Sequence, residues 1–316
     1  MNGNTVLVTG GFGNLGSYIA KHLINLNYEV TILTRKEKYK FNNLKYKVIE
    51  CNIENLKELK SKLNYNFDFC IHCASFNEYF SKDYPNKAIK INTLGTRNLL
   101  EALNLKKLRN FIYFSTFHVY GKSSGSIDES TMTNPKNDYA STHLFAEYYL
   151  SQFKYLKNLK YTILRLTNSY GKPTFIDTDK WYLVINELVK MAFERKKIVL
   201  NSNGKAKRDF IGMNDVAKIT EEILKINATN EIYNLSSNKT FEVTEVANII
   251  RNIYEKRYNI KIPVSKNSED KIEYADLEVK NQKLRNLIKF TLHDSLEDEI
   301  NKIFNKLEKI NNPIKI

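Results

Sequence analysis

Apolar positions in this chain come in short, nearly continuous runs closed by turn residues. Residues 4–9, 28–34, 46–50, 67–73, 110–115 and 161–166 read as strands buried on both faces. Between them, notably over 15–26, 86–105 and 138–156, apolar residues recur at helical spacing. Strands alternating with helices at this interval predict an α/β fold, a doubly wound parallel sheet. After about residue 170 the rhythm changes. Helices are expected over 180–195, 214–226, 243–257 and about 295–309, with short strands near 198–200, 232–234 and 260–264. There is no internal repeat and no low-complexity linker. Residues 1–170 are read as a sheet domain and residues 171–316 as a smaller C-terminal lobe interwoven with it.

Composition narrows the partners. The 316 residues carry a formal charge of +14, but lysines are spread along the whole chain. Scattered charge argues against a nucleic-acid stripe and suits anionic small ligands. No apolar run reaches the roughly 20 residues of a membrane span. Thr5-Val6-Leu7-Val8 is too short for the apolar core of a signal peptide, so a cytoplasmic protein without a membrane partner is expected. Cys51, Cys70 and Cys73 are an odd set for a disulfide framework. Cys70-Ile71-His72-Cys73 lies in a strand-like run, where alternate side chains point to opposite faces. The cysteines read as small core residues, and no metal is expected.

The first candidate chemistry is Thr9-Gly10-Gly11-Phe12-Gly13-Asn14-Leu15-Gly16, between the first strand and the first helix. Gly10 permits a tight turn, Gly13 lets the backbone approach a pyrophosphate, and Gly16 lets helix pack on strand. The helix N-terminus then offers free N–H groups and partial positive charge to phosphates. In this context the pattern predicts a Rossmann dinucleotide site. At the end of the second strand an acid usually reads the ribose 2′-hydroxyl. Here the segment is Thr34-Arg35-Lys36. Arg35 can bind the 2′-phosphate of NADP or stack on the adenine of NAD.

These residues resemble the extended short-chain dehydrogenase/reductase family, the nucleotide-sugar epimerases and dehydratases. The resemblance spans nearly the whole chain. It is carried by the glycine turn 9–16, Ile71-His72-Cys73-Ala74-Ser75, Asn92-Thr93-Leu94-Gly95-Thr96, and Phe114-Ser115-Thr116 followed by Val119-Tyr120-Gly121. Leu164-Arg165-Leu166-Thr167-Asn168 and Arg208-Asp209-Phe210-Ile211, with Asp215-Val216-Ala217, complete it. The resemblance implies that Tyr139 is the general acid/base and that Thr116 hydrogen-bonds the same sugar oxygen. It implies a cofactor site of Gly10, Gly13, Asn14, Leu15, Gly16, Arg35, Asn52, Ile53, Cys73, Ala74, Ser75 and Asn92, with Tyr139 and His143. It implies a substrate site of Thr116, Phe117, His118, Asn168, Trp181 and Arg208, arginine suiting phosphate by bidentate binding. A tightly bound NAD(H) is the implied cofactor, with NADP(H) left open. The helices at 86–105 and 138–156 match those that pair subunits, implying a homodimer or larger homo-oligomer.

Three departures qualify these roles. The family's Tyr-x-x-x-Lys reads Tyr139-Ala140-Ser141-Thr142-His143. Tyrosine and histidine at i and i+4 share a helix face, but histidine carries only partial charge near neutrality, whereas a lysine lowers the tyrosine pKa. Three readings stay open: an enzyme with altered pH dependence, a slow catalyst turning over a tightly held cofactor, or a non-catalytic sensor or scaffold. Second, sugar 4,6-dehydratases of the family carry Asp-Glu after the catalytic Thr. Here Phe117 and His118 stand there, which argues against dehydration. His118 is either a proton carrier or a structural histidine. Third, the phosphate-clamping arginine of the epimerases is missing; Ser265 to Lys271 offers only Lys266 and Lys271. The expected reaction is hydride transfer at sugar C4, by a 4-dehydrogenase or 4-epimerase of surface-polysaccharide biosynthesis, with a GDP-linked manno-heptose as the substrate suggested. The alternative enzyme is an NADPH-dependent 4-ketoreductase.

Overall fold

The computed structural model describes residues 4–175 and 181–311. The chain enters with Thr5–Thr9 (β1), Asn14–Asn25 (α1), Glu29–Thr34 (β2), Lys47–Glu50 (β3), Leu56–Lys62 (α2) and Phe69–His72 (β4). Two short turns, Glu78–Ser81 (α3) and Pro85–Ala88 (α4), lead into a π-helical stretch, Ile89–Gly95, and Thr96–Ala102 (α5). Then come Asn110–Thr116 (β5), the 3₁₀ turn Phe117–Tyr120, Gly125–Ile127 (β6), Asp138–Lys157 (α6), Tyr161–Leu166 (β7) and Asn168–Tyr170 (β8). The second half holds Val184–Arg195 (α7), Ile198–Leu200 (β9), Lys207–Gly212 (β10), Met213–Leu224 (α8), Glu231–Leu235 (β11) and Thr240–Glu242 (β12). Val243–Tyr258 (α9), Val264–Lys266 (β13), Leu277–Val279 (β14), Gln282–Leu287 (α10) and Leu296–Asn311 (α11) complete it.

Seven strands form one sheet in the order β11-β7-β5-β4-β1-β2-β3, every neighbour pair parallel. The doubly wound Rossmann reading therefore holds. Alternation along each strand divides the core. Val6 and Val8 of β1 pack with Ile19, Leu23 and the apolar face of α8 on one side. Leu7 packs with Leu59, Leu99 and Leu150, from α2, α5 and α6, on the other. A separate cluster joins α7, α9 and α11, with Leu188, Ile250 and Phe304 at its centre. The chain crosses between the halves: β11 and α8, both after residue 170, complete the sheet and one of its helical layers.

Two elements differ from expectation. The helix anticipated over 86–105 is continuous but widens into π geometry over Ile89–Gly95, and Leu103 is already extended. Single π turns occur frequently at functional sites. The strand anticipated near 260–264 pairs only from Val264. Pro263, lacking an N–H, precedes it and contributes only its carbonyl, to the Ile198 N–H. The expected start of the 180–195 helix, residue 180, lies outside the described residues. The strand pairs β6–β14 and β8–β10 were not anticipated; β6, β8 and β14, at three residues each, are too short to show a period.

Candidate active site

Because β1 pairs with both β2 and β4, the strand order reverses there, and a crevice opens at the carboxyl ends of the strands. It is a cleft of ≈ 850 Å³ reaching from the glycine turn to β10 and the start of α7.

At one end Gly10 has φ +65, and a Cβ there would stand 2.9 Å from the Ala74 backbone. A Cβ on Gly16 would collide with the Gly10 carbonyl. The Gly13 N–H closes the turn onto Gly10 O at 2.8 Å, and the Ser17 N–H opens the helical ladder onto Gly13 O at 3.0 Å. The N–H groups of the first helical turn have no intrahelical acceptor, and no side chain caps α1. The Asn14 side-chain oxygen is buried there with no partner among the described residues. Such a cradle, too tight for any Cβ and lined with donors, fits a pyrophosphate. Arg35, Lys36, Asn52 and Ile53 line the cleft beyond it, with Cys73, Ala74 and Ser75 opposite. Phe12 and Tyr39 add an aromatic wall backed by Phe175, which stacks on Tyr39 at 4.5 Å.

The middle of the cleft is walled by β5 and α6. Thr116 ends β5, and its hydroxyl accepts the His118 N–H at 3.2 Å. Asn137 caps α6 by accepting the Ala140 N–H at 2.8 Å, which presents Tyr139 in the first turn. Tyr139 and His143 lie edge to face, ring centroids 4.5 Å apart, and both line the cleft. His143 is 2 % exposed. Burial, then the nearby His72 and His118, holds its pKa down at about 3, so the imidazole is neutral at any working pH. Its Nδ1 lies 2.7 Å from the Tyr113 hydroxyl. Its Nε2 is buried with no partner among the described residues. One turn on, the Glu147 carboxylate is held by the Ser115 hydroxyl at 2.5 Å and by the Arg165 guanidinium at 2.7 and 3.1 Å. This carboxylate is shut in the core as an ion-pair partner and does not line the cleft.

On the far wall, β10 alternates. Arg208 and Phe210 line the cleft. Asp209 between them is buried, its carboxylate receiving Thr167 Oγ1, Ser237 N and Lys239 N. Arg208 has no ion pair among the described residues. Asn168 also lines the cleft, its amide N–H donated to the Asp209 carbonyl at 3.0 Å.

Three expected contacts lie elsewhere. Asn92 is fully buried beside the cleft. Its amide accepts the Phe76 N–H at 2.5 Å and donates to the Phe76 carbonyl and to Thr142 Oγ1, so it ties the loop after β4 to α6. Phe117 is turned into a small core with Val119, Tyr120, Ile127 and Leu277. Trp181 packs against the second-lobe core under Lys190. Its neighbour Tyr182 lines the cleft instead and stacks on Tyr79 at 5.2 Å. Lys266 and Lys271 do not line it. Cys70 is buried in the sheet and Cys73 borders the cleft; burial raises both thiols well above their ordinary range.

Tyr113 was not singled out from the sequence, yet a signal existed. Tyr113 and Ser115 sit two apart on an apolar strand, about 6.6 Å along it. His143 and Glu147 sit four apart on a helix, about 6 Å along it. Matched polar pairs at those spacings mark a strand and a helix meeting through hydrogen bonds.

A Rossmann crevice with a threonine and a helical tyrosine on its wall defines a class, the extended short-chain dehydrogenase/reductases. The chain belongs to the NAD dependent epimerase/dehydratase family, whose model matches residues 6–236. It is 31% identical over 252 residues to the "Putative UDP-glucose 4-epimerase" of Methanocaldococcus jannaschii, covering 78% of this chain and 81% of that protein. It is 27% identical over 270 residues to the dTDP-D-glucose 4,6-dehydratase of Homo sapiens, covering 77% and 70%. In fold it matches the UDP-glucose 4-epimerase of Thermotoga maritima with a TM-score of 0.82 at 21% identity, over 98% of this chain and 100% of that one.

Proposed function

We propose that this protein is an NAD-dependent oxidoreductase of nucleotide-linked sugars that works at C4, as a 4-epimerase or 4-dehydrogenase. One observation carries the choice of reaction. Among the described residues, no aspartate or glutamate lines the cleft, while Arg35, Lys36, Lys38 and Arg208 do. Elimination of water across C5 and C6 needs a carboxylate base, and the positions after Thr116 hold Phe117 and His118. Proton transfer at a single hydroxyl needs only Tyr139 and Thr116. The cations suit a dinucleotide at one end and a nucleoside diphosphate at the other.

When bound, NAD would supply the hydride acceptor at the nicotinamide ring. The chain's own groups do the rest. The glycine turn and the α1 N-terminus would hold the pyrophosphate, and Arg208 would draw the substrate diphosphate to the far wall. Thr116 would donate a hydrogen bond to the C4 oxygen, and Tyr139 would take its proton. Because the i+4 residue is a neutral imidazole, Tyr139 lacks the fixed charge that makes a tyrosine a ready base. The working range is therefore expected to be alkaline.

Arg35 is exposed just after β2 and lines the cleft, where the second strand ends without an acid of its own. That favours a second reading, a 4-ketoreductase using NADPH. In either case the sugar is a nucleotide-activated hexose or heptose of surface-polysaccharide assembly, with GDP-manno-heptose a first candidate. The purified protein decides between the readings. An absorbance band at 340 nm, discharged by a keto sugar or keto acid, is expected. Among UDP-, GDP-, CDP- and dTDP-sugars one should turn over, and Tyr139→Phe should abolish that turnover. Cofactor-free protein that oxidises added NADPH with a 4-keto sugar would replace the first reading with the second. Absence of any Tyr139-dependent turnover would remove both and leave a cofactor-binding sensor.

A further inference from the structure

We propose that Tyr113 is a positioning residue that sets the tautomer of His143, making His143 a neutral Nε2–H donor to an oxygen acceptor of the dinucleotide bound in the cleft. This rests on the dinucleotide-binding part of the function proposed above, not on the reaction.

The proton arrangement follows from the donors and acceptors. Tyr113 is 2 % exposed; its hydroxyl lies 2.7 Å from His143 Nδ1, with Thr96 as a further side-chain partner. Thr96 Oγ1 is already committed to the Asn92 carbonyl and to His72 Nε2, so the phenol gives its proton to Nδ1 at the 2.7 Å contact, and the imidazole proton sits on Nε2. Burial also keeps the Tyr113 hydroxyl protonated, its pKa lying well above the ordinary tyrosine value. The neighbouring His72 is oriented independently. Thr96 Oγ1 gives its proton to the Asn92 carbonyl at 2.5 Å, so the contact at 2.9 Å must run from His72 Nε2–H to Thr96. Thr9 Oγ1 then donates to His72 Nδ1 at 2.5 Å, and itself accepts the Ala74 N–H at 3.2 Å. Every proton around His72 has a partner, and none is left for His143.

What remains is one N–H, nine-tenths buried, on a residue that borders the cleft one helical turn from Tyr139. An unsatisfied buried donor at a ligand cleft costs free energy until the ligand accepts from it. The dinucleotide's hydroxyl oxygens are acceptors of the right kind. A lysine would bring a charge to that position; this histidine brings direction only. Tyr113 decides which nitrogen carries the proton, and hence whether the group facing a ligand is a donor or a bare lone pair.

Two measurements test this without asking for turnover. In protein with ¹⁵N-labelled histidine and no cofactor, His143 should give the Nε2–H tautomer pattern across pH 5–8. Tyr113→Phe, which keeps the ring and removes only the hydroxyl, should shift it toward Nδ1–H. NADH binding, followed by fluorescence, should weaken about tenfold in Tyr113→Phe, the usual loss for one hydrogen bond. His143→Gln places an amide N–H where Nε2–H stood and should hold native affinity, while His143→Leu should match the Tyr113→Phe loss. Melting curves of each variant separate a binding loss from unfolding. An Nδ1–H tautomer in the native protein, or native NADH affinity in both folded Tyr113→Phe and His143→Leu, would overturn the proposal. Because neither readout uses a sugar, loss of the epimerase or dehydrogenase reading would leave these results standing.

Discussion

Gly16 makes the cofactor end depend on a missing atom. A Cβ there would run into the Gly10 carbonyl and force the turn away from α1. Gly16→Ala is expected to raise the Kd for NADH by more than about tenfold, or about 1.4 kcal/mol, measurable by titration; unchanged affinity would mean the pyrophosphate lies elsewhere. Buried imidazoles give a second prediction at this scale. His72 and His143 both have pKa values pressed down to about 3 by burial, against an unfolded value near 6.5. Between those limits the unfolded chain binds protons that the folded chain refuses. Stability should therefore fall as pH drops from about 6.5 toward 3, by up to about 1.4 kcal/mol per pH unit for each group. Urea titrations at stepped pH read this slope, and His143→Gln should reduce it by nearly one proton. An equal slope in that variant would mean the histidine is not what resists protonation.

Between β5, β7 and α6 the decisive interaction is the Glu147–Arg165 pair, both side chains under 5 % exposed and bonded by both carboxylate oxygens. Arg165 also lies over the Tyr120 ring at 4.8 Å. Taking away one partner strands the other in the core, which costs about 3–5 kcal/mol, whereas replacing both with apolar groups is often close to neutral. Glu147→Ala should lose that much in denaturant midpoints, and the double change Glu147→Leu with Arg165→Met should recover most of it. Equal losses in both would show that the charges themselves, not their pairing, matter. This pair was invisible as a contact in the sequence. Arg165 stood out as part of the segment 164–168 that carries the family resemblance, but nothing local says that its partner lies eighteen residues earlier on a helix. Local period shows that β5 and α6 exist; their mutual register comes from packing.

Across the whole molecule, the exposed face of the π stretch and α6 carries Ile89, Leu94, Phe145 and Tyr148, each more than 40 % exposed. Neighbouring apolar side chains on adjacent helices are the expected surface of a subunit contact. A homodimer is expected by light scattering, and Phe145→Glu should shift it to monomer without lowering the melting temperature of the subunit's core. A native chain that stays monomeric at micromolar concentration would assign that face to something else. The large-scale plan was legible from residues close together in sequence. Strand and helix periods, the glycine spacing and the Tyr139–His143 helix face are all set within a few residues, so the sequence by itself determined the parallel sheet, the glycine turn at its switch point and the pairing of Tyr139 with His143 on one helix face. Tertiary packing alone decided the rest, because those features join distant segments. It turned Phe117 into a core and Tyr182 rather than Trp181 toward the cleft. It made Asn92 a tie between a loop and α6, and kept every described carboxylate off the cleft wall. It also placed a strand tyrosine 2.7 Å from His143, because β5 and α6 meet through packing that no local period encodes.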